Sequence, residues 1–155
     1  MTMGTTERRV SLITLGVDDL ARSKAFYEAM GWTGQEIEET VFIQAGGLAV
    51  VLWARAALAK DAGIEPLPDR SAFGGIALAH NVRSPAAVDE IMATAEGAGA
   101  TVTRAAQPTT YGGYAGYFAD PDGHLWEVAH NPGFALSDDG TLTLPDFSRT
   151  SPADT

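Results

Sequence analysis

Apolar and polar residues alternate along residues 10–17, with Ile13, Leu15 and Val17 on one side and Leu12, Thr14 and Gly16 on the other. A period of two predicts a strand. The period then lengthens: Leu20, Phe26, Tyr27 and Met30, with small Ser23 between them, follow helical spacing. Asp18-Asp19 supplies an N-cap, and Gly31 closes the helix. Alternation returns over residues 32–38, 40–45 and 48–53, with Gly46-Gly47 as the turn between the last two strands. Leu48, Val50 and Leu52 share one face of the last strand; Ala49, Val51 and Trp53 share the other. Residues 54–73 break the pattern. A short helix is predicted over 56–62, and a loop over 63–71, where two prolines fall among mixed charges.

The order then repeats. A strand is predicted over residues 74–80. Ser84 is the N-cap of a helix with Pro85 at its first position and Val88, Ile91, Met92 and Ala95 as its stripe. Gly97 or Gly99 ends that helix. Strands follow over 101–105, 114–119 and 124–130, the last two joined by the turn Asp120-Pro121-Asp122-Gly123. SLITLGV from Ser11 can be written over GGIALAH from Gly74, and LAVVLWA from Leu48 over HLWEVAH from His124. An internal repeat governs the fold reading. Each unit alone has one helix and one apolar sheet face, too little core for comfort. The expected architecture is α+β: two tandem βαβββ modules forming a curved mixed sheet around a cleft, with helices outside. Module one spans residues 8–54, the linker 55–73 and module two 74–132, together a single domain over 8–132. Residues 133–155 read as a partly disordered tail, with a short strand at 142–144 and disorder over 148–155.

Composition narrows the function. Hydrophobic residues make up 45 % of the 155, enough for a real core. The net charge of −10 repels phosphate backbones and anionic lipid surfaces, so neither nucleic acid nor membrane is expected as a partner. The absence of cysteine excludes disulfides, thiolate metal sites and cysteine nucleophiles. The longest apolar run, residues 48–54, is far too short to span a bilayer, and no apolar run follows the first charges. A soluble, cytoplasmic protein is expected.

The second module carries the strongest chemical handle. Leu125, Glu127 and Ala129 point to one face of the last strand, Trp126 and Val128 to the other. If the Trp126 side covers the helix, Glu127 faces whatever the sheet curls around, as a ligand contact or as an ordinary solvated glutamate. In a site without metal it suits a general base or a hydrogen-bonding partner for a ligand. Tyr114 and Tyr117 fall on opposite faces of their strand, and Tyr117, of parity opposite to the core residue Phe118, is the one expected to reach the cleft. Leu12, Thr14, Val51, Trp53, Ala77, Tyr117 and Glu127 together describe a mostly apolar pocket with a few polar points, the usual make-up of a small-molecule site. His124 and His130 share the Trp126 face, and His80 points with Ile76 and Leu78 towards the helix layer. No phosphate-binding glycine loop or nucleophile–base pair stands out.

Two stretches, ITLGVDDLARSKAFYEAMGW and GYFADPDGHLWEV, resemble the vicinal oxygen chelate superfamily of glyoxalase I, bleomycin-resistance proteins and extradiol dioxygenases. The resemblance covers residues 10–132. It implies metal-ligand positions on the first and last strand of each module, here Leu12, Val51, Gly75 and Glu127. Only Glu127 offers a ligand atom, too few for zinc, nickel or iron. A divalent metal is therefore disfavoured, no cofactor is expected, and the resemblance leans towards a metal-free pocket, as in bleomycin-resistance proteins. The expected function is binding of a small, partly aromatic organic compound in the inter-module cleft. The alternative is a lyase, isomerase or dioxygenase of the superfamily, with Glu127 as base or as part of a non-standard metal site. The resemblance also implies a homodimer.

Overall fold

The computed structural model describes residues 7–65 and 73–149. The chain divides into two compact units, Met1–Leu67 and Pro68–Thr155.

The first unit runs β1 (Leu12–Val17), α1 (Leu20–Ala29), β2 (Gln35–Ile37), β3 (Thr40–Ala45), β4 (Leu48–Ala54) and α2 (Arg55–Ala62). Its sheet has the order β1-β4-β3-β2, with β1 parallel to β4 and the other pairs antiparallel. The Asp19 carboxylate caps α1 by accepting from the Arg22 N–H at 3.0 Å. At the other end Trp32 N–H reaches back to Tyr27 O and Gly31 N–H to Glu28 O, a Schellman closure. Gly31 makes that closure possible with φ +86°. Ser23, Phe26 and Tyr27 are the buried face of α1. They pack on β3 and β4, where Val41, Ile43, Val50 and Leu52 are fully buried.

The second unit repeats the order: β5 (Ala77–Asn81), α3 (Pro85–Ala98), β6 (Thr101–Pro108), β7 (Tyr114–Ala119) and β8 (Leu125–His130). Its sheet order is β5-β8-β7-β6, with β5 parallel to β8. Two tandem βαβββ units in an α+β fold are what the repeat predicts. Ser84 Oγ accepts from the Ala87 N–H at 3.1 Å, and Gly99, rather than Gly97, closes α3. Val88, Met92 and Ala95 are buried on α3. Phe118 and Trp126, 6.3 Å apart and stacked, are buried with Val128 on the sheet. Burying this set away from water supplies the unit's main stabilisation.

Several boundaries differ from the pattern. Only Gln35–Ile37 of residues 32–38 is strand, and the β2–β3 turn is Glu38-Glu39, both at positive φ (47° and 66°). Strand β5 begins at Ala77 because Gly75 sits at φ +85°, outside the extended region. Strand β6 runs to Pro108 rather than ending at 105. The helix predicted over 56–62 forms as α2, and the following loop lies largely outside the described residues. The tail is more ordered than expected up to residue 149. It contains β9 (Ala135–Leu136) paired antiparallel with β10 (Leu142–Thr143), then a 3-10 turn at Phe147–Arg149. Arg83 holds this hairpin by donating to Ser137 O at 2.6 Å. Of the disorder expected over 148–155, Ser148 and Arg149 instead belong to the 3-10 turn, and residues 150–155 lie outside the described residues.

Candidate functional site

The turn between β7 and β8 sets the site's register. Asp120 is buried, and its Oδ1 accepts from both Asp122 N–H and His124 N–H at 2.9 Å. Asp120 N–H also donates to His124 O, so the hairpin closes with Ala119 opposite Leu125. Counting back, Tyr117 lies opposite Glu127. Directly opposite residues on one face are in side-chain reach. Here the Tyr117 hydroxyl donates to Glu127 Oε2 at 2.5 Å. This is a short, charge-assisted hydrogen bond between two half-buried side chains. It holds the Tyr117 proton and pushes the phenol pKa up, with burial adding to the effect. Tyr117 is thus a neutral donor at physiological pH. Glu127 has no other side-chain hydrogen bond to a described residue, which leaves Oε1 open to a ligand.

The row extends across the sheet. On one side Glu127 is paired with Ala79; on the other Tyr117 is paired with Arg104. The Arg104 guanidinium carbon lies 4.9 Å from the centre of the Tyr117 ring, a cation–π contact. Ala79, Glu127, Tyr117 and Arg104 therefore form one row, polar but for Ala79, opposite the buried Trp126 face. The corresponding row of the first sheet is Thr14, Val51, Phe42 and Gln35. Where the second unit has a tyrosine–glutamate pair, the first has phenylalanine and valine.

The other predicted residues fall as follows. Thr14 is half-buried beside buried Val51, and Leu12 is 52 % exposed near the start of β1. Trp53 is half-buried on the Val51 side of β4 and is paired with Thr40 and Gly16. Ala77 lies opposite Leu125, one step away from the Glu127 row. Because Thr14 pairs with Val51 and Ala79 with Glu127, the repeat matches Leu12 to Ala77, two residues from the predicted match to Gly75. Tyr114 is on the other face and donates to Asp89 Oδ1 of α3 at 2.7 Å. Two residues of the row escape sequence reasoning: Ala79 through the late start of β5, and Arg104 because irregular pairing in β6 breaks the alternation that would have placed it.

The histidines lie away from this row. His80 and Trp126 belong to the opposite face, and burial pushes the His80 pKa down. His130 Nδ1 is 3.1 Å from Val82 O. Among the described residues no three His, Asp or Glu side chains gather as a metal-holding group. At the positions the resemblance implies for a metal, Leu12, Val51 and Gly75 carry no ligand atom, nor does Ala77, which the strand register matches to Leu12; Glu127 is the one donor. This donor set does not fit a zinc, nickel or iron centre. Among the described residues no helix is long and apolar enough to cross a membrane.

The model of the Glyoxalase/Bleomycin resistance protein/Dioxygenase superfamily matches residues 9–128. The chain belongs to that superfamily. Its fold is similar to that of a glyoxalase-related enzyme from Fulvimarina pelagi, with 38 % identity and a TM-score of 0.83 over 90 % of this chain and 100 % of that one. A lactoylglutathione lyase from Agrobacterium tumefaciens is 25 % identical, with a TM-score of 0.62 over 81 % of this chain and 96 % of that one. A glyoxalase/bleomycin resistance protein/dioxygenase family enzyme from Burkholderia phytofirmans shares the fold at 21 % identity and a TM-score of 0.69, over 77 % of this chain and 96 % of that one. No curated protein matches the chain. Superfamily membership and fold thus agree with the resemblance in the two quoted stretches.

Proposed function

We propose that this superfamily member binds a small, partly aromatic organic compound on the Glu127 face of its second sheet. The observation that carries the reading is the Tyr117–Glu127 hydrogen bond. It fixes a carboxylate with one free oxygen on the face opposite the helix, next to small Ala79. A fixed acceptor beside a small residue and an aromatic ring suits a ligand bearing a hydroxyl or amine. A fragment library of phenols, anilines and aromatic acids, screened by ligand-observed NMR, tests this. Hits that bind the wild type and weaken at least about tenfold in Glu127→Gln support it. The variant's amide oxygen still accepts from Tyr117, so its stability is expected to change by less than about 1 kcal/mol. An absence of hits, or hits indifferent to the substitution, contradicts the reading.

A second reading is catalytic, and the 38 % identity to a glyoxalase-related enzyme favours it. Glu127 Oε1 would accept a proton next to a substrate carbonyl, as in an isomerase or lyase step. Turnover of a carbonyl compound, lost in Glu127→Gln with binding retained, would establish this reading over simple binding.

A further inference from the structure

Strand β6 breaks register twice, once on each side of Arg104. Thr101 pairs with Ala119 and Val102 with Phe118. Continued without a break, this pairing would set Thr103 opposite Tyr117 and turn Arg104 to the α3 side. An extra residue intervenes, and Arg104 pairs with Tyr117 instead. A second shift follows before Gln107 pairs with Ala115. Bulges of this kind re-aim a side chain and concentrate beside functional sites. Here the bulge carries an arginine from one face of the sheet to the other, and the Tyr117 ring holds it there at 4.9 Å.

Arg104 is exposed and makes no ion pair or side-chain hydrogen bond with a described residue. In a chain of net charge −10 the general field opposes anions, so a cation presented this way is the local exception. The guanidinium fork matches a carboxylate by paired N–H···O bonds. Glu127, two strands away with its backbone roughly 10 Å distant along the row, is acceptor-only when ionised. The two ends ask for opposite features in a ligand.

Resting on the binding reading above, we infer that the ligand is a small carboxylate with a hydroxyl or amine at its far end. Arg104 takes the carboxylate and Glu127 the donor. Arg104 is thus the residue that selects an anionic ligand over its neutral analogue.

The test uses 4-hydroxybenzoate and its neutral counterpart 4-hydroxybenzamide as probes, titrated by NMR or calorimetry into the full chain. Wild type is expected to bind the acid roughly ten- to a hundredfold more tightly than the amide. Arg104→Gln is expected to remove that preference by weakening the acid alone, and Arg104→Lys to restore part of it. Glu127→Gln is expected to weaken both probes. Equal affinity for acid and amide in the wild type, with both weakened by Glu127→Gln, overturns the role of Arg104 and leaves the binding reading standing. An acid preference unchanged in Arg104→Gln also overturns it. Failure of both probes to bind at millimolar concentration overturns this inference, while the fragment screen decides the broader reading separately.

Discussion

Replacing Tyr117 with phenylalanine removes one hydroxyl and leaves the ring under Arg104. The lost interaction is a 2.5 Å hydrogen bond to a carboxylate. Bonds to charged groups contribute about 1.5–3 kcal/mol. Both side chains are half-buried, and water can reach Glu127 once the phenol is gone, so solvent screening takes the expected loss just below that range, to about 1 kcal/mol. For a domain of this size that is a fall of about 2–4 °C in Tm. The pH dependence has a definite sign. Tyr117 titrates above its ordinary value in the folded protein because its proton is bonded to Glu127. A raised folded pKa gives stability that is fully present below the unfolded value of about 10 and is lost as pH rises through the folded value. The gap between wild type and Tyr117→Phe is therefore expected to hold from about pH 6 to 9 and to shrink above about pH 10. Urea unfolding at several pH values measures the gap, and phenolate absorbance measures the titration. A gap under about 0.3 kcal/mol, or one that widens at high pH, would refute the bond's role. So would a phenol missing from the variant that titrates below the ordinary tyrosine range in the wild type.

Three further outcomes are expected. Asp120→Ala removes the acceptor for two backbone N–H groups in a buried turn, with an expected loss of about 1–3 kcal/mol in urea unfolding; no loss would show that water replaces it. Changing Glu38-Glu39 to Asn-Gly relieves two residues at positive φ and is expected to add about 1–2 kcal/mol; an unchanged unfolding midpoint would contradict strain at that turn. The homodimer implied by the resemblance is proposed on open edges: within its own unit each four-stranded sheet ends in two edge strands, β1 and β2 or β5 and β6. Sedimentation equilibrium is expected to give twice the 16.2 kDa chain mass, and the monomer mass across micromolar concentrations would contradict it.

Much of this was legible in the sequence, for physical reasons that differ by element. Helices α1 and α3 announce themselves through caps at Asp19 and Ser84 and through stripes of large apolar residues, signals that are local. Glu127 and Tyr117 could be placed on one face because β7 and β8 alternate without interruption from a turn of proline, aspartates and glycine. The turn at Glu38-Glu39 was invisible because neither residue is one that favours positive φ. The late start of β5 hid Ala79, since Gly74-Gly75 extends an apolar pattern without extending the strand. Arg104 was the costliest omission. A bulge is a property of paired strands, and alternation read along one strand puts the side chain on the wrong face. The β9–β10 hairpin, two residues a side, is too short to leave a period at all.

The proposed binding face can be tested residue by residue. Amide NMR of the labelled full chain, titrated with 4-hydroxybenzoate, reports which backbone positions sense the ligand. The largest shifts are expected at Ala79, Arg104, Tyr117 and Glu127, saturating together, and needing at least about tenfold more ligand in Glu127→Gln. Shifts confined to the first unit or the tail hairpin, or none at millimolar ligand, would contradict the claim that the Glu127 face of the second sheet is the site.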